Sequence, residues 1–180
     1  MTIHSGDPFR PERGSPNELR RLRARLPAAV TIWATGSGRE RTGLTVSSML
    51  VADGEPGYVV GLLKPETDLV DALQGMAAFT VSVLRYRHRQ LADMFAGLAP
   101  APGGLFGFGA WAQEAFGPVL ADAIATASCT VDGAPVPTGY GVLLRATVDA
   151  LDVVDDVDPD DPDDLPLTYQ RGTYGWVRVP

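Results

Sequence analysis

The sequence predicts a mainly β domain, a mostly antiparallel barrel with two or three peripheral helices. The hydrophobic period switches from helical to two at Val30 and stays strand-like for most of the chain. Candidate strands outnumber candidate helices, and the connections are mostly too short for repeated parallel crossovers. A chain of 180 residues that is 45% hydrophobic supports one buried core rather than two. We therefore expect a flexible arm over residues 1–16, rich in proline and glycine, and one domain over 17–180.

Ser15 and Asn17 offer an N-cap for a helix through Leu19, Leu22 and Leu26, one apolar stripe that Pro27 ends. Val30, Ile32 and Ala34 then alternate with Thr31, Trp33 and Thr35. Gly36 to Gly38 turns the chain into a partner strand through Leu44, Val46 and Ser48, which gives a hairpin. Tyr58 to Leu63 and Phe79 to Leu84 are β-branched or aromatic enough to be buried strands. Between them, Glu66 to Gln74 reads as a short helix with Leu69, Val70 and Leu73 inward and Gly75 as its stop. His88 to Ala96 repeats that pattern with Leu91, Met94 and Phe95, and Gly97 ends it. Pro100 to Gly109 is a glycine-rich loop, Trp111 to Phe116 is expected to form a helical turn or two, and strands follow at Thr126–Val131, Tyr140–Val148 and Leu167–Val177.

Composition removes several classes of function. Cys129 is the sole cysteine, so neither an intramolecular disulfide nor a cysteine-based zinc site can form, and its apolar strand marks it as a packed thiol. The two histidines, His4 and His88, are far apart, which leaves metal and Ser-His-Asp chemistry at most one histidine to use. The net charge of −7 comes from nine aspartates between Asp149 and Asp164, without which it would be +2. No basic face suits nucleic acid: Arg20, Arg21, Arg23 and Arg25 spread around their helix as a solvated surface. No apolar run reaches membrane-spanning length, and the polar start lacks a secretory core, so a cytoplasmic protein is expected.

Two motifs have the wrong context. Gly107, Gly109 and Ala112 satisfy a relaxed dinucleotide fingerprint, but a Pro- and Gly-rich loop precedes them where a strand is needed. Asp156, Asp158 and Asp160 alternate as in a calcium loop, yet Asp161 and Leu167 stand where glycine and glutamate belong. A solvated acidic loop between two strands is the expectation.

The chemistry-bearing stretch begins at Gly43. Thr45, Val46, Ser47 and Ser48 form a hydroxyl-rich strand end, and a neighbouring strand leads to Lys64, the sole lysine, with Thr67 at a helix start. Hydroxyl donors, a cation and a helix N-terminus together suit a phosphate, although Thr67 could simply cap its helix and Asp68 beside it would repel an anion.

These segments, together with YVVGLLKPETDLVDALQGMAAFTVSVL, RQLADMFAG, Trp111 with GPVL, and the closing LTYQRGTYGWV, resemble the flavin reductase family in the same order over about residues 26–177. The resemblance implies a split β-barrel and a homodimer holding FMN, with FAD as the alternative flavin. It implies NADH or NADPH as hydride donor and a partner monooxygenase served by diffusing reduced flavin. Thr45, Val46, Ser47 and Ser48 would line the isoalloxazine and ribityl chain, with Leu62 and Leu63 packing nearby. Lys64 and Thr67 would approach the phosphate, and Arg171 and Tyr174 of the R-G-x-Y motif would lie near the same pocket. No catalytic acid or base is expected, since hydride passes between the nicotinamide and the flavin while the protein orients them. Pro137 to Tyr140 has no histidine where the family often carries one, which leaves a second reading open: a flavin-binding barrel without reductase turnover, acting as a carrier or structural dimer.

Overall fold

A computed structural model describes residues 16–74, 77–155 and 157–178. The anticipated arm up to residue 15, with His4 and the Ser15 cap, lies outside these residues, as do the Gly75 stop and Asp156.

The chain begins with helix α1 (Pro16–Arg23) and strands β1 (Ala28–Ala29), β2 (Thr31–Thr35), β3 (Thr42–Val46), β4 (Met49–Ala52) and β5 (Tyr58–Leu63). Helix α2 (Asp68–Ala72), β6 (Ala78–Val83), α3 (Arg89–Phe95), β7 (Trp111–Gln113), β8 (Pro118–Leu120) and β9 (Ala125–Val131) follow. The chain closes with β10 (Val136–Thr138), β11 (Gly141–Val153), β12 (Leu167–Gln170) and β13 (Thr173–Trp176). The largest sheet runs β3-β2-β6-β9-β11-β5-β4, with β10 on β11, and its pairings are antiparallel.

The closure follows from chain connectivity. Strands β3 and β4 stand at opposite ends of that sheet order, yet only Ser47 and Ser48 separate them in sequence. The sheet therefore has to curl until its two edges meet at these serines, which makes a barrel with a seam. The expected mainly β, antiparallel barrel with peripheral helices is what the chain forms.

Two apolar layers hold it together. Inside the barrel pack Trp33, Val46, Val59, Leu63, Phe79, Val81, Cys129 and Leu144, with Leu69, Val70 and Leu73 joining them around α2. Outside it, Val30, Ile32 and Ala34 pack with Leu91, Ala92 and Phe95 of α3, and with Leu120 and Leu167. Strand β2 is buried on both faces for this reason, so the alternation read from Thr31 and Trp33 did not mark a solvent face. Each large side chain so covered contributes roughly 1.5–3 kcal/mol relative to exposure.

Three local expectations change. Leu19, Leu22 and Leu26 are 63%, 60% and 59% exposed, so the apolar stripe expected of the first helix is not buried, and Leu26 lies beyond the helix end at Arg23. Trp111 to Gln113 is a strand rather than helix, because Trp111 pairs with Leu120 across a hairpin whose turn uses Gly117 at φ 145°. Leu167 to Val177 is two strands, because Arg171 at φ 55° and Gly172 at φ 83° reverse the chain between Gln170 and Thr173.

Candidate functional site

The seam gathers the hydroxyl-rich stretch and the β5 end by register. Met49 pairs with Gly61, so Ser48 falls opposite Leu62, and its Oγ donates to the Leu62 carbonyl at 2.6 Å. Ser48 is exposed, Ser47 half-buried and Leu62 39% exposed, whereas Val46 and Leu63 point into the barrel core. Because β3 ends the sheet order, one side of its backbone has no strand partner among the described residues. The seam thus presents hydroxyls, an unpaired strand edge and one apolar side chain to a neighbour.

Thr45 turns the other way. Its Oγ1 donates to the Ala92 carbonyl of α3 at 2.7 Å, which commits that hydroxyl to packing. Beyond Leu63 the chain reaches Lys64, exposed and in none of the ion pairs found among the described residues. Thr67 caps α2: its Oγ1 accepts the Val70 amide at 3.4 Å and donates to the Lys64 carbonyl at 3.0 Å. The capping role weighed for Thr67 is therefore present, and the same bonds hold Lys64 beside the helix start.

Arg171 is exposed at the β12–β13 turn, and Tyr174 is half-buried two residues after Gly172. The Tyr174 hydroxyl donates to the Asp93 carboxylate at 2.8 Å. Burial and that bond both push the phenol upward from its ordinary value, so it stays protonated at neutral pH. Thr45 and Tyr174 are thereby tied to neighbouring residues of α3, and the structure connects the terminal hairpin to the seam. Asp93 was invisible in the sequence as a site neighbour; helical spacing marked only the apolar residues around it.

His88, the remaining histidine candidate, serves the frame. Its Nδ1 accepts the Arg85 amide at 3.1 Å, so the Nε2 proton faces Asp122 Oδ2 at 3.0 Å. Burial lowers its pKa, with Arg87 and Arg85 adding to that effect against the pull of Asp122. The acidic loop is pinned rather than free: Asp164 meets Arg85 and Arg87, and Asp163 meets Arg89 at 3.2 Å. No group of three or more metal-type ligands occurs among the described residues, and none of their helices is long and apolar enough to cross a membrane.

Two cavities lie away from Lys64 and Tyr174. One, about 340 Å³, is lined by Val119, Thr126, Ser128 and Asp152. The other, about 360 Å³, lies among Met49, Val51, Val59, Val81, Val148 and Leu151.

Known proteins agree with this architecture. The chain is 33% identical over 115 residues to the FMN reductase (NADH) RutF of Variovorax paradoxus, spanning 63% of each protein. It is 34% identical over 74 residues to the reductase component of the 4-hydroxyphenylacetate 3-monooxygenase of Thermus thermophilus, spanning 41% of this chain and 50% of that one. The aligned segments thus cover less than two thirds of either relative's length. The NADH:FAD oxidoreductase SgcE6 of Streptomyces globisporus C-1027, solved with NAD and FAD fragments, superposes with a TM-score of 0.78 at 20% identity, covering 94% of this chain and 96% of that one. The flavin reductase like domain profile matches residues 23–178, and with that extent of match and this seamed barrel the chain belongs to the flavin reductase like domain family.

Proposed function

We propose that the protein is an NADH-dependent flavin reductase that binds FMN at the barrel seam and passes reduced flavin to a monooxygenase. The observation that carries this reading is the convergence of Ser47, Ser48, Leu62 and Lys64 at the meeting of the two sheet edges. The donor set fits the group: Lys64 supplies a cation in no ion pair among the described residues, the β3 edge and Ser47 supply hydrogen bonds, and Leu62 supplies an apolar wall. Bound flavin would accept hydride from nicotinamide. The chain's own residues would bind and orient both molecules, and no side-chain acid or base is assigned a proton transfer.

In this reading Thr45 and Val46 contribute backbone groups, Leu63 supports Leu62 from the core, and Thr67 holds Lys64 in place. Arg171 and Tyr174 approach from the terminal hairpin. The named activities of the Variovorax and Streptomyces relatives support the chemistry, and the Thermus relative supports a monooxygenase partner. A reductase drawing on NADH works where that nucleotide is kept, which places it in the cytoplasm. Residues 17–180 act as one domain.

A homodimer completes the proposal. Leu50, Val51, Leu151 and Val153 are exposed on β4 and β11, and Val51 and Leu151 line the apolar cavity. A second copy would cover this surface. Light scattering of the FMN-loaded protein tests it, and a monomer mass would remove it.

Pro137 to Tyr140, with Tyr140 exposed and no histidine present, favours the second reading of a flavin binder without turnover. The two readings part in one experiment: FMN quenched on binding and then bleached by NADH under anaerobic conditions supports the reductase. FMN quenched without bleaching supports the binder.

A further inference from the structure

Inside the barrel, directly behind the seam, the Trp33 indole reaches from β2 to β5. A Cβ on Gly61 would stand 2.5 Å from Trp33 Cη2 and 2.9 Å from Cζ2, so glycine there leaves the space the ring fills. Phe79 of β6 stacks on the same indole, with centroids 4.9 Å apart and planes at 25°.

Position gives this contact its meaning. Strand β2 neighbours β3, one edge of the seam, and β5 neighbours β4, the other edge. Trp33 pairs with Leu44, one residue before Thr45, and Gly61 lies one residue before Leu62. The ring therefore spans from the strand beside one edge to the strand beside the other, and on each side the adjoining residue or its strand partner's neighbour is a group assigned to the flavin. Indole is also an unfavourable choice for packing alone. Trp33 is fully buried, and its Nε1 is the buried side-chain polar atom left without a hydrogen-bond partner among the described residues. A phenylalanine would fill the β2 side without stranding that N–H. What the larger ring adds is reach to Gly61.

We infer that Trp33 is a positioning residue: with Gly61 it forms a strut that fixes the separation of the seam edges and hence the fit of the flavin between them. This rests on the functional reading above. A rigid spacer matters here because the β3 edge at Thr45 and Val46 and Lys64 beyond β5 can meet one ligand together only if the strands that carry them keep their distance, and small misplacements of binding groups are costly.

The test is FMN titration, followed by fluorescence quenching and by the visible band of the bound flavin, in wild type, Gly61→Ala, Trp33→Phe and the double variant. Circular dichroism establishes that each is folded. Gly61→Ala wedges the strut and is expected to raise the Kd for FMN about tenfold or more, while Trp33→Phe slackens it and raises the Kd about threefold with a shifted flavin band. The double variant, in which the smaller ring makes room for the methyl group, is expected to return to within about threefold of wild type, a rescue that only direct coupling gives. Wild-type affinity and an unshifted band in folded Gly61→Ala, or in Trp33→Phe if the alanine variant does not fold, would overturn the strut while leaving the functional reading intact. Failure of the wild type to bind FMN would overturn both.

Discussion

Tyr174 donates a 2.8 Å hydrogen bond to the carboxylate of Asp93, and the residue before Asp93 accepts the Thr45 hydroxyl at 2.7 Å. Helix α3 is thus clamped between the terminal hairpin and the strand that forms one edge of the seam. A bond to a charged acceptor in a half-buried place contributes about 1.5–3 kcal/mol. Tyr174→Phe is expected to lose about that much stability, lowering Tm by about 2–4 °C for each kcal/mol in a domain of this size. Asp93→Asn, which keeps an acceptor, should lose less. Thermal unfolding of the two variants checks the order, and equal losses would remove the charge from the explanation.

Lys64 and Thr67 share a turn but not a role. Lys64→Ala removes a charge-assisted contact and is expected to weaken FMN binding by about 1–3 kcal/mol. Thr67→Ala removes the α2 cap, at about 1 kcal/mol of stability, and by loosening Lys64 weakens FMN by a similar 1–3 kcal/mol or so. FMN titration of both variants reads this directly, and unchanged affinity in both would withdraw the phosphate assignment.

Acidification should weaken the fold in a defined direction. His88 is held neutral, its pKa lowered chiefly by burial, so the unfolded chain binds a proton that the folded chain resists. Stability contributed by neutral His88 is therefore lost as pH falls below about 6.5, the ordinary histidine value. Asp164 lies below its ordinary value because the Asp158 amide bonds to it and, against some desolvation, Arg87 and Arg85 sit beside it. Asp122 behaves likewise, the His88 and Arg87 contacts outweighing its own desolvation. These carboxylates contribute stability above about pH 4 that disappears as pH falls through their lowered values. Melting curves between pH 7.5 and 3 should decline in two stages, and His88→Gln should flatten the first. A first stage unchanged in that variant would assign it to another group.

Much of the fold was legible because it is local. The apolar run of Tyr58–Leu63, the alternation after Val30 and the helical spacing around Leu69 and Leu91 each carry their own period, and those elements form where the pattern places them. What escaped was set by distant partners. Strand β2 reads as a simple alternation until α3 covers the face of Val30, Ile32 and Ala34 and the barrel interior takes Trp33, and Trp111 reads as helical until Leu120 pairs with it. The acidic loop reads as solvated because Arg85 and Asp164, 79 residues apart, show no signal of their meeting. In the site, the hydroxyls of Thr45 to Ser48 were visible as a cluster, but their division was not: Thr45 bonds to α3 while Ser48 bonds to Leu62 at the end of β5. Neither Asp93 nor Gly61 stood out by spacing, although a glycine within the apolar run of β5 was a sign of close packing.

Cys129 offers a check on the core. Fully buried in β9, its thiol is pushed up to about 12 by burial, with Asp149 adding a smaller effect. The folded protein should therefore resist an aromatic disulfide reagent at pH 8 and react with one equivalent only on unfolding. Rapid reaction of the native protein would mean that the barrel interior is open to solvent.

The central claim is that the seam binds FMN and presents it to NADH. Absorbance of the purified protein under anaerobic conditions, recorded before and after FMN and then NADH, addresses this most directly. The account predicts a perturbed flavin spectrum on binding and bleaching of the visible band by NADH much faster than in free solution. A spectrum identical to free FMN, with bleaching no faster than in the absence of protein, would contradict it.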